Sequence, residues 1–208
     1  MIEINNILEI EKHLEEIKGA VFDLDDTLYS EKDYVKSGYN AVASVFPQIE
    51  NMADKLWNVF ERGGKAFDEV LESEKLFSEK TKAKCLEVYR CHKPNISLYP
   101  GIREMVERIK KQDIKLGIIT DGRPEGQKAK IESLNIRDLF DEIIITDELG
   151  GIEFRKPNKT AFVKMHELMD VSYKQMLYVG DNVKKDFIAP EALGMRAVWF
   201  KNSKGIYR

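Results

Sequence analysis

Acidic side chains follow a short apolar segment early in the sequence. Ala20-Val21-Phe22 has the composition of a buried strand, and Asp23, Asp25, Asp26 and Thr27 come just after it. Carboxylates this close repel one another, and burying them is costly unless a cation or a proton lies among them. A divalent metal would meet that need, and oxygen ligands favour magnesium. The sequence therefore predicts a Mg²⁺ site at the carboxyl end of this strand.

Polar side chains also stand at the ends of later strand-like segments. Thr120-Asp121-Gly122 follows one segment, Lys156 lies beyond the next, and Asp181 and Asp186 follow another. Each motif alone is a weak signal, because Thr-Asp-Gly is usually a turn and a Lys before Pro is usually solvated. In a parallel sheet, however, all these strand ends lie at one edge, so the side chains can converge although they are far apart in the chain.

These motifs together resemble those of the haloacid dehalogenase superfamily of phosphohydrolases. The signatures of that family match, in order, Asp23-Leu24-Asp25-Asp26-Thr27, then Thr120, then Lys156, then Gly180-Asp181-Asn182 with Asp186. The resemblance spans essentially the whole chain and includes a helical cap inserted after the first motif. It implies a phosphohydrolase with an α/β core.

The resemblance also implies roles for individual residues. Asp23 is expected to attack phosphorus and form an aspartyl-phosphate, while Asp25 acts first as a general acid and then as a base. The turn Thr120-Asp121-Gly122 is expected to bind the phosphoryl group, with Thr120 among the catalytic residues, and Lys156 is expected to neutralise charge. The expected Mg²⁺ ligands are Asp23, Asp25 through its carbonyl oxygen and Asp181, and Asp186 is expected either to complete the metal site or to lie just behind its ligands.

The chemistry of phosphomonoesters fits these residues. A bare carboxylate cannot approach a dianionic phosphate, and a metal and a lysine remove that repulsion. Within the family, Asp25 together with Thr27 favours phosphate-ester hydrolysis over displacement of halide, and Asp26 counts against a mutase, which usually has Gly there. We therefore expect a Mg²⁺-dependent phosphatase acting on a small phosphomonoester, either a sugar phosphate or a nucleoside monophosphate.

Two other classes of function compete with this one. A catalytically weak phosphate-binding or scaffold protein of the same fold is the main alternative, although unused buried acids are costly. A receiver-type switch also places acids, a Thr and a Lys on a parallel sheet. That class lacks both a lid and a second Asp two residues after the phosphorylated one.

Periodicity predicts the elements that would position these side chains. From Gly101 onward, helices alternate with strands over residues 114–119, 142–145, 176–179 and 197–200, and the strand before Asp23 makes five. This is the pattern of a three-layer, Rossmann-like parallel α/β core, which we assign to residues 1–29 and 99–208. Residues 30–98 have helical periodicity and predict a small α-helical cap domain inserted after the first strand.

Cap residues are candidates for substrate specificity. Arg62-Gly63-Gly64-Lys65 lies where caps of the resembled family often place a specificity loop, so Arg62 or Lys65 is expected to meet a polar or anionic part of the substrate. The alternative is a solvated turn between two helices.

Apolar spacing near the N-terminus predicts an amphipathic helix over Met1–Lys18, with Ile7 and Ile10 among its buried residues. Asn6 and Glu9 have the spacing of a helix start. This helix is expected to pack on the sheet, and a dimer seam is the alternative.

Composition limits the setting of the protein. A net charge of −3 over 208 residues gives no sign of the excess positive charge that nucleic-acid binding requires. No apolar run has the length of a membrane span. No secretory signal is visible, and two cysteines imply no disulfide framework. We expect a soluble cytoplasmic protein, a monomer or homodimer, whose partner is a small phosphorylated metabolite rather than nucleic acid or membrane.

Overall fold

The computed structural model of the protein describes residues 1–206. The chain divides into two compact units, one formed by residues 1–31 with those from Ser97 onward, and the other by Lys32–Ile96. The assignment of these parts to a hydrolase core and a cap stays a prediction.

A parallel sheet forms the first unit. Within the described residues it has six strands in the order β1-β6-β5-β2-β3-β4, and every neighbouring pair is parallel. The strands are β1 (Ile2–Ile4), β2 (Gly19–Phe22), β3 (Lys115–Thr120), β4 (Glu142–Ile145), β5 (Met176–Gly180) and β6 (Arg196–Phe200). The predicted Rossmann-like α/β fold is confirmed, with one strand more than the sequence indicated.

Strand β2 lies inside the sheet and is covered on both faces. Phe22 pairs in register with Ile118 of β3 and with Val179 of β5. Every residue of β2 is buried, as expected for a parallel strand between two layers of helices. Val21 belongs to a core cluster on one face, whereas the Phe22 ring meets Phe140 edge-on, 6.0 Å between centroids.

Helices occupy both units of the chain. They are α1 (Glu31–Ser44), α2 (Met52–Glu61), α3 (Ala66–Ser73), α4 (Glu79–Cys91), α5 (Ile102–Lys110), α6 (Pro124–Ser133), α7 (Thr160–Met169) and α8 (Ile188–Leu193). Ser78 caps α4, since its hydroxyl accepts a hydrogen bond from the Thr81 N–H at 3.1 Å. Across residues 1–206, no helix combines the length and the apolar character that crossing a bilayer requires.

The prediction of one amphipathic helix over Met1–Lys18 is wrong. The segment forms β1 and then a 3₁₀ helix over Ile7–His13. The predicted helix start is correct, because the Asn6 side chain accepts from the Leu8 N–H at 3.0 Å and Glu9 accepts from the Asn6 N–H at 3.1 Å. Strand β1 exists because it pairs with β6, and local periodicity does not report a partner from the other end of the chain.

Candidate active site

The loop after β2 places two carboxylates at the edge of the sheet. The Asp23 N–H continues the ladder by donating to the Val179 carbonyl at 2.8 Å. Asp26 takes a left-handed conformation, φ 52°, and its carboxylate accepts from the Glu31 and Ile206 N–H groups at 2.9 and 2.7 Å. Asp26 therefore shapes the loop, which leaves Asp23 and Asp25 as its candidate catalytic acids.

Lys156 joins two of the predicted acids. Its Nζ atom lies 2.7 Å from Asp23 Oδ1, 2.8 Å from Asp186 Oδ1 and 2.9 Å from the Tyr178 hydroxyl. The Lys156 side chain has no exposed surface. Burial alone would lower the pKa of this ammonium, but Asp186 and Asp23 outweigh it and hold the pKa well above its ordinary value. Lys156 is therefore a fixed cation beside the candidate nucleophile.

Three carboxylates form a candidate metal centre. Asp23, Asp181 and Asp186 are buried, and each offers an oxygen within 4.8 Å of the others. Burial and neighbouring acids raise the pKa of Asp181 to about 9, and burial raises the pKa of Asp23 to about 7 despite Lys156. Among the described residues, Asp181 Oδ2 has no hydrogen-bond partner. A buried, unpartnered oxygen among carboxylates fits a divalent cation with oxygen ligands. The Asp25 side chain is not part of this group.

Asp25 is held from a different direction. Its Oδ1 atom lies 2.7 Å from Lys130 Nζ and accepts from the Tyr29 hydroxyl, and its Oδ2 atom accepts from Gln127 Nε2 at 3.0 Å. Burial would raise the pKa of Asp25, but the charge and hydrogen bond of Lys130, with those of Tyr29 and Gln127, lower it below its ordinary value. Tyr29 is fully buried, so its ring has no exposed face on which a substrate could stack.

The turn after β3 ties the other motifs together. Thr120 is buried, and its Oγ1 atom accepts a hydrogen bond from Gln127. Asp121 accepts from the Lys156 N–H at 3.0 Å and from Lys185 Nζ at 2.8 Å. Gly122 has a φ of 140°, which few other residues adopt. The Asp121 carboxylate is thus engaged by Lys156 and Lys185, and the role of the turn in binding a phosphoryl group stays a prediction.

A polar cavity of about 420 Å³ opens among these residues. It is lined by Asp23, Asp25, Glu31, Asp121, Arg155, Lys156, Asp181, Asn182 and Lys185. Thr120 and Asp186 have no exposed surface. Asp186 pairs with Lys156, which lines the cavity, and Thr120 is linked through Gln127 to Asp25, which also lines it. The predicted core motifs thus meet around one polar space.

The predicted cap residues have local partners. Arg62 forms an ion pair with Glu69, and the Lys65 N–H donates to the Glu69 carboxylate at 3.0 Å. Both contacts lie within the unit Lys32–Ile96. The role of Arg62 and Lys65 in substrate binding stays a prediction.

Comparison with known protein families shows which family the chain belongs to. The family model described as haloacid dehalogenase-like hydrolase matches residues 20–200. The chain belongs to this family. The matched region contains the acids after β2, the turn after β3, Lys156 and the acids after β5, so the predicted family is confirmed.

Relatives of this haloacid dehalogenase-like hydrolase include named phosphatases. The glyceraldehyde 3-phosphate phosphatase of Methanocaldococcus jannaschii is 31% identical over an aligned length of 207. The alignment covers 92% of this chain and 87% of the relative. A protein of the same name from Methanothermobacter thermautotrophicus is 27% identical. That alignment covers 88% of this chain and 84% of the relative. The solved structure of the magnesium-bound HAD-hydrolase YfnB of Bacillus subtilis superposes with a TM-score of 0.66 at 19% sequence identity. The match covers 88% of this chain and 86% of the YfnB chain, which shows that the two share a fold. The predicted enzyme class, a phosphomonoester hydrolase of this family, is confirmed.

Some residues that contact the predicted site of this haloacid dehalogenase-like hydrolase lie outside the motifs that predicted it. They include Gln127, Lys130, Tyr178 and Lys185. Gln127 and Lys130 lie three residues apart in a helix that starts just after the turn at Thr120, so they share one helix face. That spacing was the available signal, but polar residues in a helix usually face water.

Proposed function

We propose that this hydrolase is a Mg²⁺-dependent phosphatase that acts on a small sugar phosphate, of the size of glyceraldehyde 3-phosphate, through an aspartyl-phosphate intermediate. The observation that carries the proposal is the 2.7 Å contact between Lys156 and Asp23 at a polar cavity of about 420 Å³. The names of relatives matched over most of their length support a three-carbon substrate. The expected partner is a small phosphorylated metabolite.

The first step transfers the phosphoryl group to the protein. A carboxylate oxygen of Asp23 forms a bond to phosphorus as the bond from phosphorus to the sugar oxygen breaks. Asp25 gives its proton to that oxygen, so the sugar leaves as an alcohol. A bound phosphate dianion favours the protonated form of Asp25 before this step, because like charges disfavour ionisation. Lys156 lowers the cost of bringing the dianion against Asp23.

The second step returns the protein to its starting state. Asp25, now a carboxylate, takes a proton from water, and the water oxygen bonds to phosphorus as the bond to Asp23 breaks. Inorganic phosphate and the free Asp23 carboxylate result, and Asp25 again carries a proton. Thr120 and the turn Asp121-Gly122 hold the phosphoryl oxygens in both steps.

Magnesium fits the oxygen donors of this site. The carboxylates of Asp23, Asp181 and Asp186 would hold the ion, with the Asp25 carbonyl as a further ligand. When bound, it supplies positive charge between the nucleophile and the phosphoryl oxygens. The raised pKa of Asp181 agrees with this assignment, since the site is built to gain a cation.

The proposal is tested by phosphate release from the purified full chain. We expect turnover of glyceraldehyde 3-phosphate with Mg²⁺ and none with excess chelator. Acid quenching during turnover of ³²P-labelled substrate should leave label on the protein. Asp23→Asn should abolish both turnover and label, whereas Asp33→Asn, which changes an exposed carboxylate, should keep both.

Two outcomes would contradict parts of this proposal. Faster turnover of nucleoside monophosphates than of sugar phosphates would overturn the substrate class. Phosphate binding by calorimetry without release from any phosphomonoester would favour the phosphate-binding or scaffold alternative.

A further inference from the structure

Helix α6 presents two buried polar side chains to the candidate general acid. Lys130 and Gln127 are 5% and 3% exposed, and both side chains end at the Asp25 carboxylate. Neither belongs to a motif that defined the site. Their contacts with Asp25 cross more than a hundred residues of sequence, so they are features of the folded chain rather than of a local turn.

The two side chains divide the carboxylate between them. Lys130 Nζ lies 2.7 Å from Oδ1, and Gln127 Nε2 lies 3.0 Å from Oδ2. A carboxylate held at both oxygens cannot rotate about its bond to the β-carbon, whereas one held at a single oxygen can. The Tyr29 hydroxyl adds a further donor at Oδ1. A carboxyl group has about four lone-pair positions and these three donors occupy three of them, which leaves one position on Oδ2 for the proton that is transferred.

Gln127 also joins Asp25 to the phosphate-binding turn. The same amide nitrogen donates to Thr120 Oγ1 and to Asp25 Oδ2. A shift of α6 would therefore move the proton donor and the phosphoryl-binding hydroxyl together. Proton transfer depends on such placement, because misplacement by about 1 Å can reduce a rate about a hundredfold.

Stability alone is a weak reason for a lysine at this position. A buried ion pair adds little to stability compared with a well-packed apolar side chain of similar volume. Lys128, two residues away on the same helix, is 64% exposed and pairs with Glu148 at the surface. The helix thus offers one lysine with the ordinary solvated role and one that is enclosed beside the site.

We propose that Lys130 and Gln127 are positioning residues that fix the Asp25 carboxyl group for proton transfer to the leaving oxygen. This inference rests on the phosphatase function proposed above. Loss of either positioning residue should slow some substrates more than others, because only substrates whose leaving oxygen needs a proton depend on the placement of Asp25. The leaving group of a sugar phosphate is an alkoxide, which leaves poorly unless it gains a proton. The leaving group of p-nitrophenyl phosphate is a stable phenolate, which leaves without one.

The test compares these two leaving groups in Lys130→Met. The readout is kcat/KM, which reports the steps up to release of the leaving group. We expect a loss of about 10²-fold on glyceraldehyde 3-phosphate and of less than about threefold on p-nitrophenyl phosphate. Lys130→Arg keeps a donor and a charge on a larger and differently shaped group, so it should recover part of the loss. Lys128→Met is the matched control and should change neither substrate.

A second variant keeps the test independent of the buried charge. Gln127→Leu has a similar volume and no charge, and its loss on the sugar phosphate should again exceed its loss on p-nitrophenyl phosphate. Thermal unfolding of each variant checks that the fold is kept. Equal losses on both substrates, in whichever of the two variants is folded, would overturn the positioning role while leaving the phosphatase function intact. A wild-type protein that hydrolyses neither substrate would overturn both.

Discussion

Removal of the buried ammonium of Lys156 tests the charge balance of the site through stability. Its side chain and that of Asp186 have no exposed surface, and Asp23 is 6% exposed. Lys156→Met would leave two carboxylates with no lysine between them. Removing one partner of a buried pair costs about 3–5 kcal/mol, because the remaining charge keeps its desolvation penalty.

That cost converts into a change of melting temperature. For a chain of 150–250 residues, each kcal/mol shifts the melting temperature by about 2–4 °C. We therefore expect Lys156→Met to melt about 6–20 °C below the wild type in thermal unfolding followed by circular dichroism without added metal.

A second substitution distinguishes charge from packing. Adding Asp186→Asn to Lys156→Met removes one uncompensated carboxylate, so the double variant should melt above the single one. Added Mg²⁺ should also narrow the gap to the wild type, since it supplies charge to the same carboxylates. A fall of less than about 2 °C in the single variant, or a double variant that melts lower still, would refute the electrostatic reasoning.

Further predictions concern other parts of the protein. In Gly180→Ala the new methyl group would lie 2.5 Å from Asp186 Oδ2, so we expect the stabilisation by Mg²⁺, measured as a shift in melting temperature, to be lost; an unchanged shift would contradict this geometry. Burial raises the pKa of the Cys85 thiol to about 11 and Cys91 is exposed, so iodoacetamide at about pH 8 should modify Cys91 and spare Cys85 in the folded protein, as read by peptide mass mapping. Equal labelling would show that α4 opens. Ile10 has no exposed surface, so Ile10→Ala should lower the free energy of unfolding in urea by about 2–5 kcal/mol, and a loss below about 1 kcal/mol would argue against the packing of the N-terminal segment.

The sheet could be predicted from sequence where the signal was local. The segment Glu142–Ile145 was predicted with the bounds that the structure has, because a β-branched run between turns is typical of a buried strand. Burial of Ile7 and Ile10 was predicted as well, although their helix is a short 3₁₀ helix. Strand β1 could not be predicted, because three residues carry little periodicity and β6 supplies the partner.

The site shows the same division between local and distant information. Asp23 and Lys156 could be predicted because each follows an apolar strand or a recognisable turn, and the topology brings such ends to one edge. Lys130 and Gln127 could not, because nothing beside them in the sequence distinguishes a lysine that faces water from one that faces Asp25. Only the packing of α6 against the loop after β2 makes that distinction, and it involves residues about half the chain apart.

The place of β2 between β3 and β5 has a consequence for how the protein is made. A ribosome builds the chain from its N-terminus, so the strand that leads to Asp23 emerges early, while one of its two neighbours begins only at Met176. Until then the nascent polypeptide carries Asp23 without Asp181 and Asp186. The carboxylates of the candidate metal centre can therefore come together only after Asp186 has been synthesised.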